Sequence, residues 1–171
     1  MPWGDMRAVT VGYLPTIRAP LRAGRQFTAA DGRGGAAVCI VDDELVRRFW
    51  PNTDPIGKRI TFNNLTDTNI TWITVVGVVG HTLHTGLDDE HRVQVYFPLA
   101  QFGLPFLGVV VRAAGEPMAA LAGVRAAVRA VGPDLPLAGV NTMDELIAQS
   151  TGPRRFSLFL LGGFAALAVI L

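Results

Sequence analysis

The chain has 171 residues, half of them hydrophobic, and a formal net charge of +1 at pH 7. This length allows one domain of about 150 residues with a short additional segment, and the low net charge excludes the strong positive field of nucleic-acid-binding proteins. The single cysteine, Cys39, excludes an intrachain disulfide and a thiolate metal site.

The first part of the chain predicts strands and short helices around an apolar core. Residues 7–11 alternate as in a strand, residues 13–19 favour a short helix, residues 22–35 indicate a loop, and residues 36–41 indicate a buried strand. Asp42 is placed to cap a helix that has Asp43 and Glu44 in its first turn and ends before Pro51. The residues of this helix expected to face the core are Leu45, Val46, Phe49 and Trp50.

The second part predicts further strands and two helices. Residues 58–62, 71–79, 93–97 and 107–112 favour strands, and Gly77 indicates a bulge or a close backbone approach. Residues 93–97 alternate like a half-buried strand, with Gln94 and Tyr96 on the other side from the valines.

A helix that starts at Pro117 precedes a short strand at residues 137–140. Its apolar face is formed by Leu121, Val124, Val128 and Val131. Thr142 and Glu145 have the spacing of a capping box for a last helix. Together the elements predict an α+β (mixed α/β) domain over residues 7–150, with a mixed sheet and packed helices.

The last residues, 156–171, form an uncharged segment, FSLFLLGGFAALAVIL, directly after Arg154 and Arg155. As a helix it would be about 24 Å long, less than the ~30 Å of a bilayer core. We therefore expect residues 154–171 to be the start of an incomplete transmembrane helix. A buried C-terminal helix is the alternative, but such helices usually keep a polar stripe. The chain opens without a signal peptide, so an external domain would need an upstream membrane segment, and we expect a truncated N-terminus.

One loop concentrates residue types that bind metals. Zinc accepts imidazole and carboxylate ligands, and this loop offers His81, His84, His91 and Asp88. A membrane-anchored metallohydrolase is therefore one hypothesis. However, the spacing of His81 and His84 converges on a metal only within a helix, and the nearby glycines favour a solvated hairpin.

Three other patterns have structural explanations. The acidic residues Asp42, Asp43 and Glu44 could hold a divalent cation, but helix capping accounts for them. The segment GKRI at 57–60 resembles the end of a phosphate-binding loop, but Asn52 and Arg59 occupy positions that need Gly and Ser or Thr. Neither a nucleophile elbow nor a dinucleotide fingerprint occurs. The sequence therefore predicts no catalytic, cofactor-binding or metal-binding residue, no cofactor and no enzyme.

Several blocks, taken in order, resemble one family. They are VGYL at 11–14, GRQFTAAD at 24–31, VDDELVRRFWPNTDPIGKRI at 41–60, VVGVVGHTLHTGLDDE at 75–90, VYFPLAQ at 95–101, the predicted strand at 107–112 and RRFSLFLLGGFAAL at 154–167. These blocks resemble the MacB-like periplasmic core domain of FtsX-like ABC transporter permeases of the duplicated type. The chain departs from the family at Leu14, where an aromatic residue is usual, and in the polar insert at 63–69.

The resemblance implies one transmembrane helix, a large extracytoplasmic domain and three more helices in the bacterial inner (cell) membrane. The domain would couple movement driven by a separate cytoplasmic ABC ATPase to transport or release of an unknown substrate. The other implied partners are a second permease copy or half, a periplasmic adaptor and the lipid bilayer, with no nucleic acid. Arg154 and Arg155 at the outer face oppose the positive-inside tendency. We therefore take the orientation in the membrane from the order of helices and domain that the resemblance implies. A membrane-anchored interaction or sensor domain without transport is the other alternative.

Overall fold

The computed structural model describes residues 4–63, 68–82, 92–101 and 107–148. They form two compact units: the first contains the described residues up to Thr82 together with residues 92–101 and 107–111, and the second begins, among the described residues, at Arg112. The apolar segment 154–171 lies outside the described residues. Within the described ranges, no helix combines the length and apolar character needed to cross a bilayer.

The first unit is built on a six-stranded mixed sheet. Its strands are β1 (Gly4–Val9), β2 (Leu21–Gly24), β3 (Val38–Asp42), β4 (Arg59–Ile60), β5 (Ile73–Val79) and β6 (Val93–Pro98). The order across the sheet is β1-β6-β3-β5-β2, and β4 also pairs with β5. Strands β1 and β6 are parallel, as are β3 and β5, whereas β3–β6, β2–β5 and β4–β5 are antiparallel. The predicted α+β fold is confirmed.

Strand β3 is the centre of this sheet, and every one of its residues is buried. Because successive strand residues point to opposite faces, Ile40 belongs to one hydrophobic cluster and Cys39 to the other. The first cluster includes Leu14 of helix α1 (Tyr13–Thr16), and the second includes Leu45 of helix α2 (Asp43–Phe49). The sheet therefore has a core on each face.

The second unit contains the predicted helix that starts at Pro117. A 3₁₀ turn (Pro117–Ala120) leads into helix α3 (Leu121–Val131), and residues 143–148 are also helical. The capping box is present: the Thr142 N–H donates to Glu145 Oε2 (2.7 Å), and the Glu145 N–H donates to Thr142 Oγ1 (3.2 Å). Two more 3₁₀ turns, Ala29–Asp31 and Leu99–Gln101, belong to the first unit.

Several local predictions were wrong. Residues 22–35 contain strand β2, and residues 107–112 and 137–140 are not strands. Apolar β-branched residues favour an extended chain, but a strand also needs a hydrogen-bonded neighbour, and these two segments pair with none of the described strands. In α2, Phe49 is 43% exposed instead of facing the core. At the end of α3, Val131 is exposed as well.

Gly77 confirms the prediction of a bulge and a close backbone approach. The β3–β5 register shifts between Cys39 and Ile40, which pair with Val75 and Gly77. A Cβ atom on Gly77 would lie 2.3 Å from the Arg25 carbonyl oxygen. Gly77 therefore allows the chain after β2 to lie directly against β5.

Replacing Gly77 with alanine is expected to destabilise the first unit by more than about 2 kcal/mol, because the new methyl group would collide with backbone that cannot move away. Urea-induced unfolding of the chain measures this loss. Gly12→Ala is the matched control, since a Cβ there meets no atom within 4 Å. Equal stability of the two variants would contradict the close approach.

Candidate functional site

The carboxyl ends of β3 and β5 bring a buried carboxylate and an imidazole together. Asp42 is the last residue of β3, and His81 follows the end of β5. Because these strands are parallel neighbours, their ends meet, and His81 Nδ1 lies 2.7 Å from Asp42 Oδ2. The Asp42 side chain is fully buried and that of His81 is 14% exposed. Ligands of open α/β sheets usually bind at this edge.

Both oxygens of Asp42 are used by the protein itself. Oδ1 accepts a hydrogen bond from the Leu45 N–H (2.9 Å), which is the predicted helix cap. Burial raises the pKa of Asp42 above its usual range, although the hydrogen bonds from His81 and Leu45 act in the opposite direction. The carboxylate thus joins β3, α2 and the end of β5, and this arrangement suits a structural role.

The next residues of α2 extend this junction. Asp43 Oδ1 accepts the His81 backbone N–H (2.9 Å), and Arg22 Nε lies 3.9 Å from Asp43 Oδ2. Glu44 pairs with Arg47 one turn further along the helix. The three acidic residues thus contact protein groups, in agreement with the capping interpretation.

A second buried polar network lies on β6. The Tyr96 hydroxyl donates to Gln94 Oε1 (2.6 Å), and the Gln94 amide nitrogen donates to the Thr82 carbonyl (2.5 Å). Thr82 Oγ1 lies 3.0 Å from the Tyr96 hydroxyl. Burial raises the pKa of Tyr96 to about 12, so the phenol stays protonated at physiological pH. The prediction that β6 is half-buried was wrong, because all six of its residues are buried.

The alternation of β6 was misleading because both faces of this strand are covered. Gln94 and Tyr96 have long polar side chains that a single-sided sheet would place in water. Here they satisfy each other and Thr82 within the core. Their polar partner Thr82 lies twelve residues before Gln94. A contact over that separation cannot be predicted from one sequence.

Most of the predicted metal loop lies outside the described residues. This applies to His84, His91 and Asp88, so only His81 of that set can be placed. Among the described residues, no group of three or more His, Cys, Asp or Glu side chains could hold a metal ion. The metallohydrolase therefore stays an untested alternative hypothesis, and the absence of a metal site stays a prediction.

Cys39 and the GKRI segment have structural surroundings. Cys39 is buried, and burial raises the pKa of its thiol to about 12, which disfavours the reactive thiolate. The Gly57 N–H donates to the Val75 carbonyl (2.9 Å), and Arg59 and Ile60 form β4. This segment pairs with the sheet and does not form a phosphate cradle.

An ion pair organises the loop after β2. Arg25 binds both carboxylate oxygens of Asp31, at 2.7 and 2.9 Å, and the Thr28 N–H donates to the same carboxylate (2.7 Å). The Arg25 guanidinium holds the pKa of Asp31 well below its usual range. The Gln101 amide donates to the carbonyls of Asp31 and Ala36, at 2.9 and 3.0 Å. Two blocks that are distant in sequence, 24–31 and 95–101, therefore meet.

An apolar groove that the sequence does not indicate lies on the α2 side of the sheet. Its volume is about 590 Å³. The lining residues are Gly4, Met6, Leu45, Phe49, Trp50, Ile60, Thr61, Phe62, Val93 and Val95. None of them is charged. Three of its large apolar side chains are exposed: Met6 by 60%, Phe62 by 49% and Phe49 by 43%. We call this cavity the α2 groove.

Comparison with known proteins identifies the family. Residues 4–131 match the MacB-like periplasmic core domain. The periplasmic region of MacB from Actinobacillus actinomycetemcomitans has a similar fold, with a TM-score of 0.53 and 16% identity over 75% of this chain and 56% of that one. The extracellular domain of the noncanonic ABC-type transporter YknZ from Gram-positive bacteria gives a TM-score of 0.39 and 20% identity over 54% of this chain and 41% of that one. No curated protein matches the sequence.

The family match covers more than half of the chain, so the chain belongs to the family of MacB-like periplasmic core domains of ABC transporter permeases. The resemblance found in the sequence blocks is confirmed. This places the domain on the extracytoplasmic side. The chain spans only about half the length of the MacB and YknZ structures.

Asp42→Ala is expected to destabilise the first unit by about 2 kcal/mol, because it removes the helix cap and the partner of His81. Asp42→Asn keeps an oxygen for the Leu45 N–H and should cost less. Urea-induced unfolding and hydrogen exchange at the Leu45 amide measure the two effects. Identical losses in both variants would show that the cap contributes little.

Asp31→Asn is expected to cost about 1–2 kcal/mol at pH 7, because the ionised carboxylate binds Arg25 and the Thr28 N–H. Since the folded-state pKa of Asp31 is lowered, its contribution is present above pH ~4 and is lost as the pH falls below that value. Unfolding in urea at pH 7 and at pH 3 should therefore show a smaller difference from the unmodified chain at pH 3. Asp134→Asn, at an exposed position, is the control and should change little at either pH.

Proposed function

We propose that this domain couples movement driven by a separate cytoplasmic ABC ATPase to transport or release of a substrate by a permease. The observation that carries the proposal is the family match over residues 4–131. The division of the described chain into two compact units supports the proposal, because domains commonly change shape by rigid-body movement of such units.

We also propose that the domain is not an enzyme. The buried polar side chains that could serve chemistry are occupied by the protein: Asp42 caps α2 and binds His81, and Gln94 and Tyr96 bind each other. A general base or nucleophile must lie within hydrogen-bond distance of its substrate, but both carboxylate oxygens of Asp42 are already bonded to Leu45 and His81. The geometry therefore supports transmission of movement better than catalysis.

The membrane setting is part of the same proposal. The uncharged segment 156–171 after Arg154 and Arg155 is suited to entering the bilayer as a helix. We place the permease in the bacterial inner membrane, with the ATPase, a second permease copy or half and a periplasmic adaptor as partners. The substrate is left open, because no side chain of the described core points to one.

Labelled cysteines can test whether ATP changes the domain. Cys39 is fully buried, so spin labels should attach selectively to exposed introduced cysteines. The permease containing this chain would be reconstituted in lipid with a cytoplasmic ABC ATPase. One pair of labels, at Thr53 and Arg129, measures a distance between the two units. A control pair, at Thr10 and Thr53, measures a distance within the first unit.

We expect the Thr53–Arg129 distance distribution to shift when a non-hydrolysable ATP analogue is added, whereas the Thr10–Thr53 distribution stays the same. Pulsed electron–electron resonance measures both distributions. Unchanged distances in both pairs while the ATPase is bound would refute coupling. Failure of the permease to retain the ATPase at all would instead favour an interaction or sensor domain.

A further inference from the structure

We propose that the α2 groove binds the alkyl chain of an anionic amphiphile, such as a fatty acid, with its negatively charged head beside Arg48. This binding is distinct from the coupling role and does not depend on it. It assigns a ligand class to a cavity that neither the sequence blocks nor the family membership explains.

The shape of the groove suits a narrow apolar chain. Its floor is formed by Val93, Val95 and Leu45, which are 4%, 5% and 7% exposed. Its walls include Phe49 and Phe62, which stand much further into solvent. A volume of about 590 Å³ lies within the ~300–1,000 Å³ of small-ligand clefts. A buried floor between exposed aromatic walls removes a linear chain from water along its length.

Two close contacts fix the shape of the groove. Gly4 of β1 has no side chain, and a Cβ there would lie 2.9 Å from Val93 Cγ2. The Phe62 ring is held edge-on against Phe97, with ring centroids 5.6 Å apart. The wall at Phe62 is therefore held against the core, and at Gly4 the β1 backbone lies directly against the Val93 side chain of the floor.

Charge decides between amphiphiles of opposite sign. The Arg48 guanidinium carbon lies 5.9 Å from the centroid of the Phe49 ring, which lines the groove. Within the described part of the chain Arg48 enters no ion pair, in contrast to Arg47, which pairs with Glu44. The lining itself carries no charge. A carboxylate or phosphate head would gain a cationic partner at Arg48, and an ammonium head would be repelled by it.

Tryptophan fluorescence gives a local test, because Trp50 lines the groove and Trp72 does not. The full chain is reconstituted in nanodiscs of zwitterionic phospholipid in two forms. One form keeps only Trp50 (Trp3→Phe, Trp72→Phe), and the other keeps only Trp72 (Trp3→Phe, Trp50→Phe). Bromododecanoate, whose bromine quenches tryptophan on contact, is added below its aggregation concentration.

We expect bromododecanoate to quench Trp50 along a saturable curve that unlabelled dodecanoate reverses and dodecyltrimethylammonium does not. Trp72 should be quenched much less. Met6→Glu, which puts a carboxylate into an exposed wall of the groove, should raise the half-quenching concentration at least about tenfold. The control Leu21→Glu changes another exposed apolar residue, on β2, and should have no effect.

Arg48→Glu tests the head-group contact in the same way. We expect an increase of about tenfold in the half-quenching concentration, whereas Arg33→Glu, with the same charge change at an exposed position outside the groove, should have none. Circular dichroism of each variant checks that it is folded. Equal quenching of Trp50 and Trp72, or quenching that survives Met6→Glu in a folded chain, would overturn the proposal. Equal competition by the cationic amphiphile would overturn the assignment of an anionic head.

Discussion

The buried carboxylate of Asp42 is the constraint on which the arrangement of the first unit depends. Burying a charged group is unfavourable unless its hydrogen bonds are replaced. Here the Leu45 N–H and the His81 imidazole replace them. One side chain therefore ends the central strand, starts α2 and fixes the chain that leaves β5. Because β3 contributes to both hydrophobic clusters, the position of this strand also sets the packing on each face of the sheet.

The groove follows from the size of α2. A helix of seven residues is only about 10 Å long, so it covers the sheet over part of its width. Ile56 and Ile60, which follow α2 in the chain, pack against the hydrophobic cluster that contains Leu45. Towards β1, the sheet face is left with small or flexible side chains, Gly4 and Met6, and a cavity remains. The last two residues of this helix are Arg48 and Phe49. The early end of α2 therefore leaves the groove open and also puts the Arg48 cation beside the Phe49 wall.

Local features could be predicted from the sequence, and features that depend on distant pairings could not. The caps at Asp42 and Thr142 need partners within three residues, and the constraint at Gly77 appears as a glycine inside an apolar strand. By contrast, β2 is a strand only because β5 lies beside it. The Gln94–Tyr96–Thr82 network and the groove join segments that are far apart in the chain. The predicted strand at 107–112 shows the converse, since its residues favour an extended chain but none of the described strands lies beside it.

The residues behind the family resemblance are mainly those that hold the fold together. The blocks 24–31 and 95–101 meet through Asp31 and Gln101, and the block 41–60 begins at the Asp42 junction. Their contacts are internal, so family membership explains the architecture without naming a ligand. Two walls of the α2 groove, Met6 and Phe62, lie outside these blocks. Transmission of movement would rest on these internal contacts, and amphiphile binding on the apolar side chains that the same fold leaves exposed in the groove. The two roles can therefore be separated within one domain.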